Sequence, residues 1–417
     1  MTEQVRTIIH LAARRVRLMN AALIYNAHSA GHHTGHFVND GQVLQHHLDD
    51  YIFPDEVYKP TEINYPYPFP STFDHPETIA RLETVYKAFE NWGLLERFKV
   101  VAATPATDSE LLTTHPTSYL EYLRNLCQHQ PGAFAAEATP IATHSYEAAR
   151  LSAGAALTAG RLVLSGATQR AFALTRPPGH HAATQQAGGF CLLNNAAILA
   201  NYALTQPGIK RILLLDWDIH HGNGTQEIFW HDARVLFNSF HQFGPGIYPG
   251  SGAVTEIGAG VGRGYTVNVP LPTDCPDPLY QAVFEQVTTT LSAQYEPDLI
   301  IVSAGQDGHF GDLHHLYLWE ENSGLGLTAQ HYYNLTRHVL KLADNYCGGR
   351  CVFIQEGGYN LTNLANSVLN IGAALLDLPI MVQEQIPSSF SHLSLPTAEA
   401  IIAPIQANLQ EFWNFNL

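Results

Sequence analysis

Apolar residues recur along this chain in short blocks, too short for helices and the right length for buried strands. The blocks are AALIY at 21–25, KVVAA at 99–103, AFAL at 171–174, ILLL at 212–215, VLFNSF at 235–240, YTVNV at 265–269, LIIVS at 299–303 and CVFIQ at 351–355. Helical patterns fill the stretches between, at 78–96, 109–128, 145–165, 277–294 and 328–346. Strands alternating with helices predict an α/β fold, a parallel sheet covered on both faces. We read one large α/β domain over residues 1–417 with its core at about 20–378, although length alone is equally compatible with two domains. Residues 28–76 are rich in His and Pro and lack periodicity, as expected of a functional or oligomeric loop. Residues 380–417 read as an extension with a terminal helix near 397–414.

In open α/β sheets, ligands bind just past the carboxyl ends of strands. Four blocks are followed there by reactive residue types. After ILLL come Asp216, Asp218, His220 and His221. Residues two apart in extended chain share a face, which aims Asp218 and His220 at one spot with Asp216 behind them. A carboxylate and an imidazole there suit zinc or a similar divalent ion. After LIIVS, the word SAGQD brings Asp307 to a strand end. Two carboxylates and one imidazole leave a coordination position open, as in catalytic zinc sites. None of the 5 cysteines forms a Cys-x-x-Cys pair. Cys347 and Cys351 come nearest and lack suitably spaced histidines, which disfavours a structural zinc site.

After AFAL come Pro177, Pro178 and Gly179, then the pair His180–His181. Imidazoles beside a metal suit proton transfer, and adjacent residues can both aim at it only from an irregular loop. The bland alternative is a solvated pair, the default for most of the 23 histidines, including His32, His33, His46 and His47. After CVFIQ, Gly357 and Gly358 permit close backbone approach and bring Tyr359 to the strand end. A phenol there can donate to an oxyanion, or be a core-edge tyrosine.

These segments, taken together, resemble the zinc-dependent histone deacetylase and acetylpolyamine amidohydrolase superfamily. The matching words are PPGHHA, GGFCLLNN, DWDIHHGNGT, FHQFGPGIYPGSG, VNVPLP, SAGQD and EGGYN, in family order over residues 105–360. HPET at 75–78 and SYEAARLSAGAAL at 145–157 extend the match, and GTQEIFWHDARVLFNSFHQ most resembles bacterial class II-like amidohydrolases. The resemblance implies the arginase/deacetylase fold with about eight central parallel strands. It implies Zn2+ on Asp218, His220 and Asp307. It gives His181 the role of general base toward the attacking water, with His180 held by Asp216 and helping to protonate or stabilise the tetrahedral intermediate. Tyr359 would polarise the acetyl carbonyl. Phe190 and Tyr248 would wall a tunnel around an alkyl chain, with Gly189 and Gly357 giving close backbone approach. One or two K+ sites are implied: Asp216, Asp218, His220, Ser239 and Phe240 for one, and backbone and side-chain oxygens of Phe229, Asp232, Val235 and Tyr265 for the other.

The chain departs from the family pattern at several points. Asn223 stands where class I deacetylases have aspartate, and Gln306 where the family has phenylalanine. The next loop, GDLHHLYLWEENSGLGLT, has Leu313 instead of proline, His314 at the gatekeeper place facing substrate, and about eight extra residues. Glu320 and Glu321 in it could meet a polycation or form a solvated acidic turn. Glu137 is the nearest candidate for the acid that grips the substrate backbone.

Apolar content of 46% suffices for a sizeable core. Net charge is −16, with 37 acidic against 21 basic residues, which argues against nucleic-acid binding and favours cationic substrates. No apolar run reaches the ~18 residues of a transmembrane helix, so no stable membrane insertion is expected. Few cysteines suggest a reducing compartment, and a bacterial cytoplasm fits; secretion as an effector and organelle targeting stay open. Arg6, Arg14, Arg15 and Arg17 punctuate an N-terminal segment that reads as a targeting helix, a membrane-surface helix, an oligomer contact or a helix packed on the domain. The leading expectation is a zinc-dependent deacetylase of acetylated, or otherwise acylated, lysine in proteins or peptides. The alternatives are an acetylpolyamine amidohydrolase with the same machinery and a catalytically silent acyl-lysine binding protein. A homo-oligomer is left open.

Overall fold

The computed structural model describes residues 20–25, 32, 34, 36–38, 43–44, 72–312, 324–385 and 395–415. The Arg-rich N-terminus, His33, His46, His47, Leu313, His314, Glu320, Glu321 and most of the 28–76 loop lie outside them.

The apolar blocks become eight parallel strands: β1 (Ala21–Tyr25), β2 (Lys99–Ala102), β3 (Arg170–Ala173), β4 (Ile212–Asp216), β5 (Val235–Gln242), β6 (Thr266–Leu271), β7 (Leu299–Ala304) and β8 (Cys351–Gln355). They form one sheet in the order β6-β5-β4-β7-β8-β3-β1-β2. The chain leaves β4 in one direction, through β5 and β6, and then returns to place β7 on its other side. That reversal is the topological switch point where α/β sheets bind ligands.

Strand side chains alternate between two helical covers. Leu213, Leu215, Ile300, Val302 and Phe353 join a core with helices 80–91, 277–295, 329–346, 361–375 and 398–409. Ile212, Leu214, Ile301, Val352 and Ile354 face the helices Ser145–Leu164 and Asn195–Leu204. Burial on both faces explains why these strands read as continuous apolar runs.

Expected and observed helices differ in instructive places. The helix expected over 109–128 is two, Asp108–Leu111 and Thr117–His129. Pro116 cannot continue a helix, and its extended φ/ψ of −72°/158° restarts the chain. Helices Asn195–Leu204 and Leu361–Leu375 have no counterpart among the expected segments. Both begin on side-chain caps inside the motif words: Asn194 accepts from Ala197 N, and Asn360 from Thr362 N and Asn363 N. The terminal helix is shorter than expected, Ala398–Leu409. No described helix is long and apolar enough to cross a membrane.

Candidate active site

The carboxyl ends of β3, β4, β7 and β8 converge on one buried group of side chains. β4 stops at Asp216, so Asp218 and His220 are not on a strand as alternation suggested. They lie in a bend that builds itself from short hydrogen bonds. Asp218 N donates to Asp216 Oδ1 at 3.1 Å, and His220 N to Asp218 Oδ1 at 3.0 Å. Each aspartate captures the N–H two residues on, a local habit of Asp.

Asp307 arrives from β7 and accepts from Ile219 N at 3.0 Å. His220 Nδ1 then stands 3.1 Å from Asp218 Oδ1 and 3.1 Å from Asp307 Oδ2. One ring nitrogen carries at most one proton, so it cannot donate fully to both. The ligand-type atoms of Asp218, His220 and Asp307 all lie within 4.8 Å of one another, and all three residues are buried. Charge agrees: burial, then the neighbouring Asp218 carboxylate, pushes Asp307 up to about 6, a strain that a cation would relieve. The donor set fits a divalent ion. Gly357 closes the floor. Its N–H donates to Asp218 Oδ2 at 2.9 Å, and a Cβ there would lie 2.3 Å from Asp307 Oδ2.

A second trio, His180, Cys191 and Glu356, also brings ligand-type atoms together. Its cysteine argues against a metal there, since a thiol binds one only as thiolate. Glu356 accepts from the N–H groups of Gly179 and His180 and from the Ser303 hydroxyl. Burial keeps the Cys191 thiol protonated, well above its ordinary pKa.

The histidine pair occupies an irregular loop, as expected, and its members differ sharply. His180 Nδ1 lies 3.0 Å from Asp216 Oδ2. Burial opposes its charge, but Asp218 and Asp216 prevail and lift its pKa to about 10. His181 Nδ1 lies 2.7 Å from Asn223 Oδ1, an acceptor without charge. Burial, then the charges of His180 and His220, holds His181 well below its ordinary value. Its proton therefore sits on Nδ1, leaving the Nε2 lone pair as a base.

Tyr359 is buried, and burial keeps its phenol protonated well above the usual value. Its ring meets Phe190 edge-on at 5.7 Å, and the Arg81 guanidinium lies 5.0 Å from its centre. Gly189 (φ +49°) and Phe190 (φ +68°) are both left-handed. This turn lays Gly189 flat on His181, where a Cβ would come within 2.1 Å of the ring. Tyr248 stands edge-on to His181 at 4.9 Å and to His220 at 6.1 Å. Phe190, Tyr248 and Tyr359 thus border the space above Asp218, His220 and Asp307.

The other expected residues are placed as follows. Ser239 pairs in register with Asp216, and Phe240 is buried beside it. Phe229, Asp232, Val235 and Tyr265 form one corner: Asp232 N donates to Phe229 O, Val235 N to Asp232 O, and Phe237 N to Tyr265 O. The Asp232 carboxylate is taken by Arg234, leaving backbone oxygens there. Glu137 is exposed at a hairpin tip whose Thr139 hydroxyl accepts from Phe190 N. Gln306 is buried, and its amide accepts from that of Gln355. His32 corrects the solvated expectation. It is buried, with Nδ1 2.7 Å from the Ser145 hydroxyl and Nε2 3.5 Å from Glu77.

Three contributors escaped the sequence reading: Glu356, Arg81 and Asp312. Arg81 donates to the carbonyls of Gly358 and Glu356, and Asp312 accepts the N–H groups of Tyr359 and Asn360. Glu356 and Arg81 lie in or beside the quoted words EGGYN and HPET, where attention went to the glycines and the tyrosine.

The histone deacetylase domain family matches residues 75–375. A probable deacetylase of Archaeoglobus fulgidus is 35% identical over 340 residues, 81% of this chain and 91% of that protein. The histone deacetylase-like amidohydrolase of Pseudomonas aeruginosa is 37% identical over 287 residues, 69% of this chain and 72% of that one. A crystal structure of the HDA15 HD domain aligns with a TM-score of 0.75 at 28% identity, covering 95% of this chain and 96% of that chain. Matched across most of its length in sequence and in fold, the chain belongs to the histone deacetylase family of amide hydrolases.

Proposed function

We propose that the chain removes acetyl groups from the ε-amine of lysine in proteins or peptides, with zinc held by Asp218, His220 and Asp307. The observation that carries this reading is the meeting of those three donors with His180 braced by Asp216, His181 bonded to Asn223 and the buried Tyr359 phenol. Bound zinc would supply Lewis acidity, polarising the acetyl carbonyl and lowering the pKa of adjacent water towards ~7.

The side chains divide the remaining work. His181, its Nδ1–H hydrogen-bonded to Asn223 Oδ1, takes a proton from the attacking water on Nε2. His180, charged and braced by Asp216, stabilises the tetrahedral intermediate and supplies a proton toward the leaving amine. Tyr359 donates its phenol hydrogen to the developing oxyanion. Phe190 and Tyr248 flank the aliphatic stem and exclude water, leaving the charged remainder of the substrate outside. The net charge of −16 favours such cationic partners. Potassium is assigned to the Asp216, Asp218, His220, Ser239 and Phe240 cluster and to the backbone oxygens of Phe229, Asp232, Val235 and Tyr265.

The test is kcat/KM for an acetyl-lysine peptide against acetylspermidine and acetylputrescine, on zinc-loaded protein. A peptide preference of about tenfold, about 1.4 kcal/mol in barrier, is expected. The reverse preference would move the chain to polyamine deacetylation. Activity surviving both chelation and Tyr359→Phe would sink the mechanism altogether.

A further inference from the structure

The loop from Gln306 to Asp312 has two tasks in the site. Asp307 at its start belongs to the metal-fitting trio. Asp312 at its end holds the backbone of Tyr359 at 2.8 Å and of Asn360 at 3.1 Å. Between them sits His309, fully buried and stacked on Phe310. Its Nδ1 accepts from Gly311 N at 3.1 Å, which fixes its proton on Nε2. That Nε2 donates to Glu384 Oε2 at 2.8 Å.

Glu384 comes from far along the chain, on the segment after helix Leu361–Leu375. Its position is determined by several bonds. The same Oε2 accepts from Ala329 N at 2.8 Å, and Oε1 from Asn366 Nδ2 at 3.1 Å. Its backbone N and O both bond to the Gln330 amide, each at 2.9 Å. Just upstream, Asn370 Oδ1 accepts from Met381 N and Val382 N, and its Nδ2 donates to Val382 O. A carboxylate bound to two helices is thus presented to the middle of the active-site loop.

We propose that Glu384 is a positioning residue for catalysis. Through His309 it fixes the loop whose ends place Asp307 and the backbone of Tyr359. The inference rests on the zinc deacetylase reading above. An acceptor bonded to a buried imidazole in this way restricts the loop's motion, and groups that orient metal ligands typically carry about 10–100-fold in metal affinity or activity. The alternative is that Glu384 merely fastens the 376–385 segment, in which case its loss acts through global stability alone.

The experiment compares wild type, Glu384→Ala, Glu384→Gln and Asn370→Ala. Zinc transfer to a chromogenic chelator, thermal midpoint, kcat and KM are measured for each. Glu384→Ala is expected to release zinc about tenfold faster or more and to lower kcat by a similar factor, with KM little changed. Glu384→Gln keeps an acceptor oxygen for His309 and should recover most of both. Asn370→Ala loosens the same segment without touching His309; it should lower the thermal midpoint and leave zinc release near wild type. Should Glu384→Ala not fold, His309→Asn carries the same test, since its amide can keep the Gly311 contact but cannot reach Glu384. Wild-type release from Glu384→Ala, or release that tracks the thermal midpoint across all variants, would overturn the proposal. Failure of the wild type itself to bind zinc and hydrolyse the peptide would instead remove the functional reading.

Discussion

At the floor of the site, carboxylates are held by backbone N–H groups; at the mouth, aromatic rings are held by other rings. Asp216, Asp218, Asp307 and Glu356 each accept at least one backbone donor at 2.6–3.1 Å. Phe190 leans on His75 at 4.6 Å and on Tyr359, and Tyr248 on His181. A backbone donor fixes a carboxylate's direction before any ligand arrives, which is what charge-stabilising chemistry needs. Ring contacts contribute about 0.5–1.5 kcal/mol each and tolerate exchange. On the proposed function, the floor would serve one reaction, whereas the mouth could be retuned for different substrates without disturbing it.

Substitutions should separate the two regions. The largest loss is expected from Asp218→Ala, which removes a proposed metal donor and the acceptor for both His220 N and Gly357 N. At about 4 kcal/mol it should cost on the order of 10³ in kcat/KM and most of the bound zinc, read by steady-state kinetics and metal analysis. Next comes Tyr359→Phe, with about 10²–10³ lost in kcat, KM held and zinc content unchanged. Tyr248→Ala should do the opposite. About 10–100-fold is lost, mainly through KM, and the peptide-to-polyamine ratio changes. A kcat loss from Tyr248→Ala as large as that from Tyr359→Phe would erase the contrast.

The smallest effect per group concerns acid. Two imidazoles support the mouth: His75 against Phe190, and His241, whose Nε2 lies 2.9 Å from Gly252 O at the base of the Tyr248 loop. Burial lowers His75 to about 3 and His241 to about 4. The unfolded chain therefore takes protons first, below its ordinary pKa of 6.5. The stability they support is complete above pH 6.5 and is lost as pH falls toward 4, by at most about 1.4 kcal/mol per imidazole per pH unit. Urea unfolding at pH 7.5 and 5.5 measures the fall, and His75→Gln should make it shallower.

Much of this was legible beforehand. All eight strands coincide with apolar blocks, because a parallel sheet buried on both faces leaves a run that nothing polar interrupts. The polar residues just past those blocks were legible for the same reason: polarity at a strand's carboxyl end is conspicuous. His181 and Asn223, Arg81 and Tyr359, and His309 and Glu384 were not legible as pairs. Their partners lie 42, 278 and 75 positions apart, and no local pattern links them.

The sequence by itself thus determined the strands, the order in which they carry Asp218, His220, Asp307 and Tyr359 to one edge, and the kind of chemistry those groups can do. Period and polarity are local properties, so they survive in one dimension. Only the tertiary structure decided which partner each histidine meets. His180 and His181 are adjacent and identical in sequence, yet one faces Asp216 and the other Asn223. In a dry interior the sign of the nearest partner sets the proton's position, and a fold alone chooses that partner.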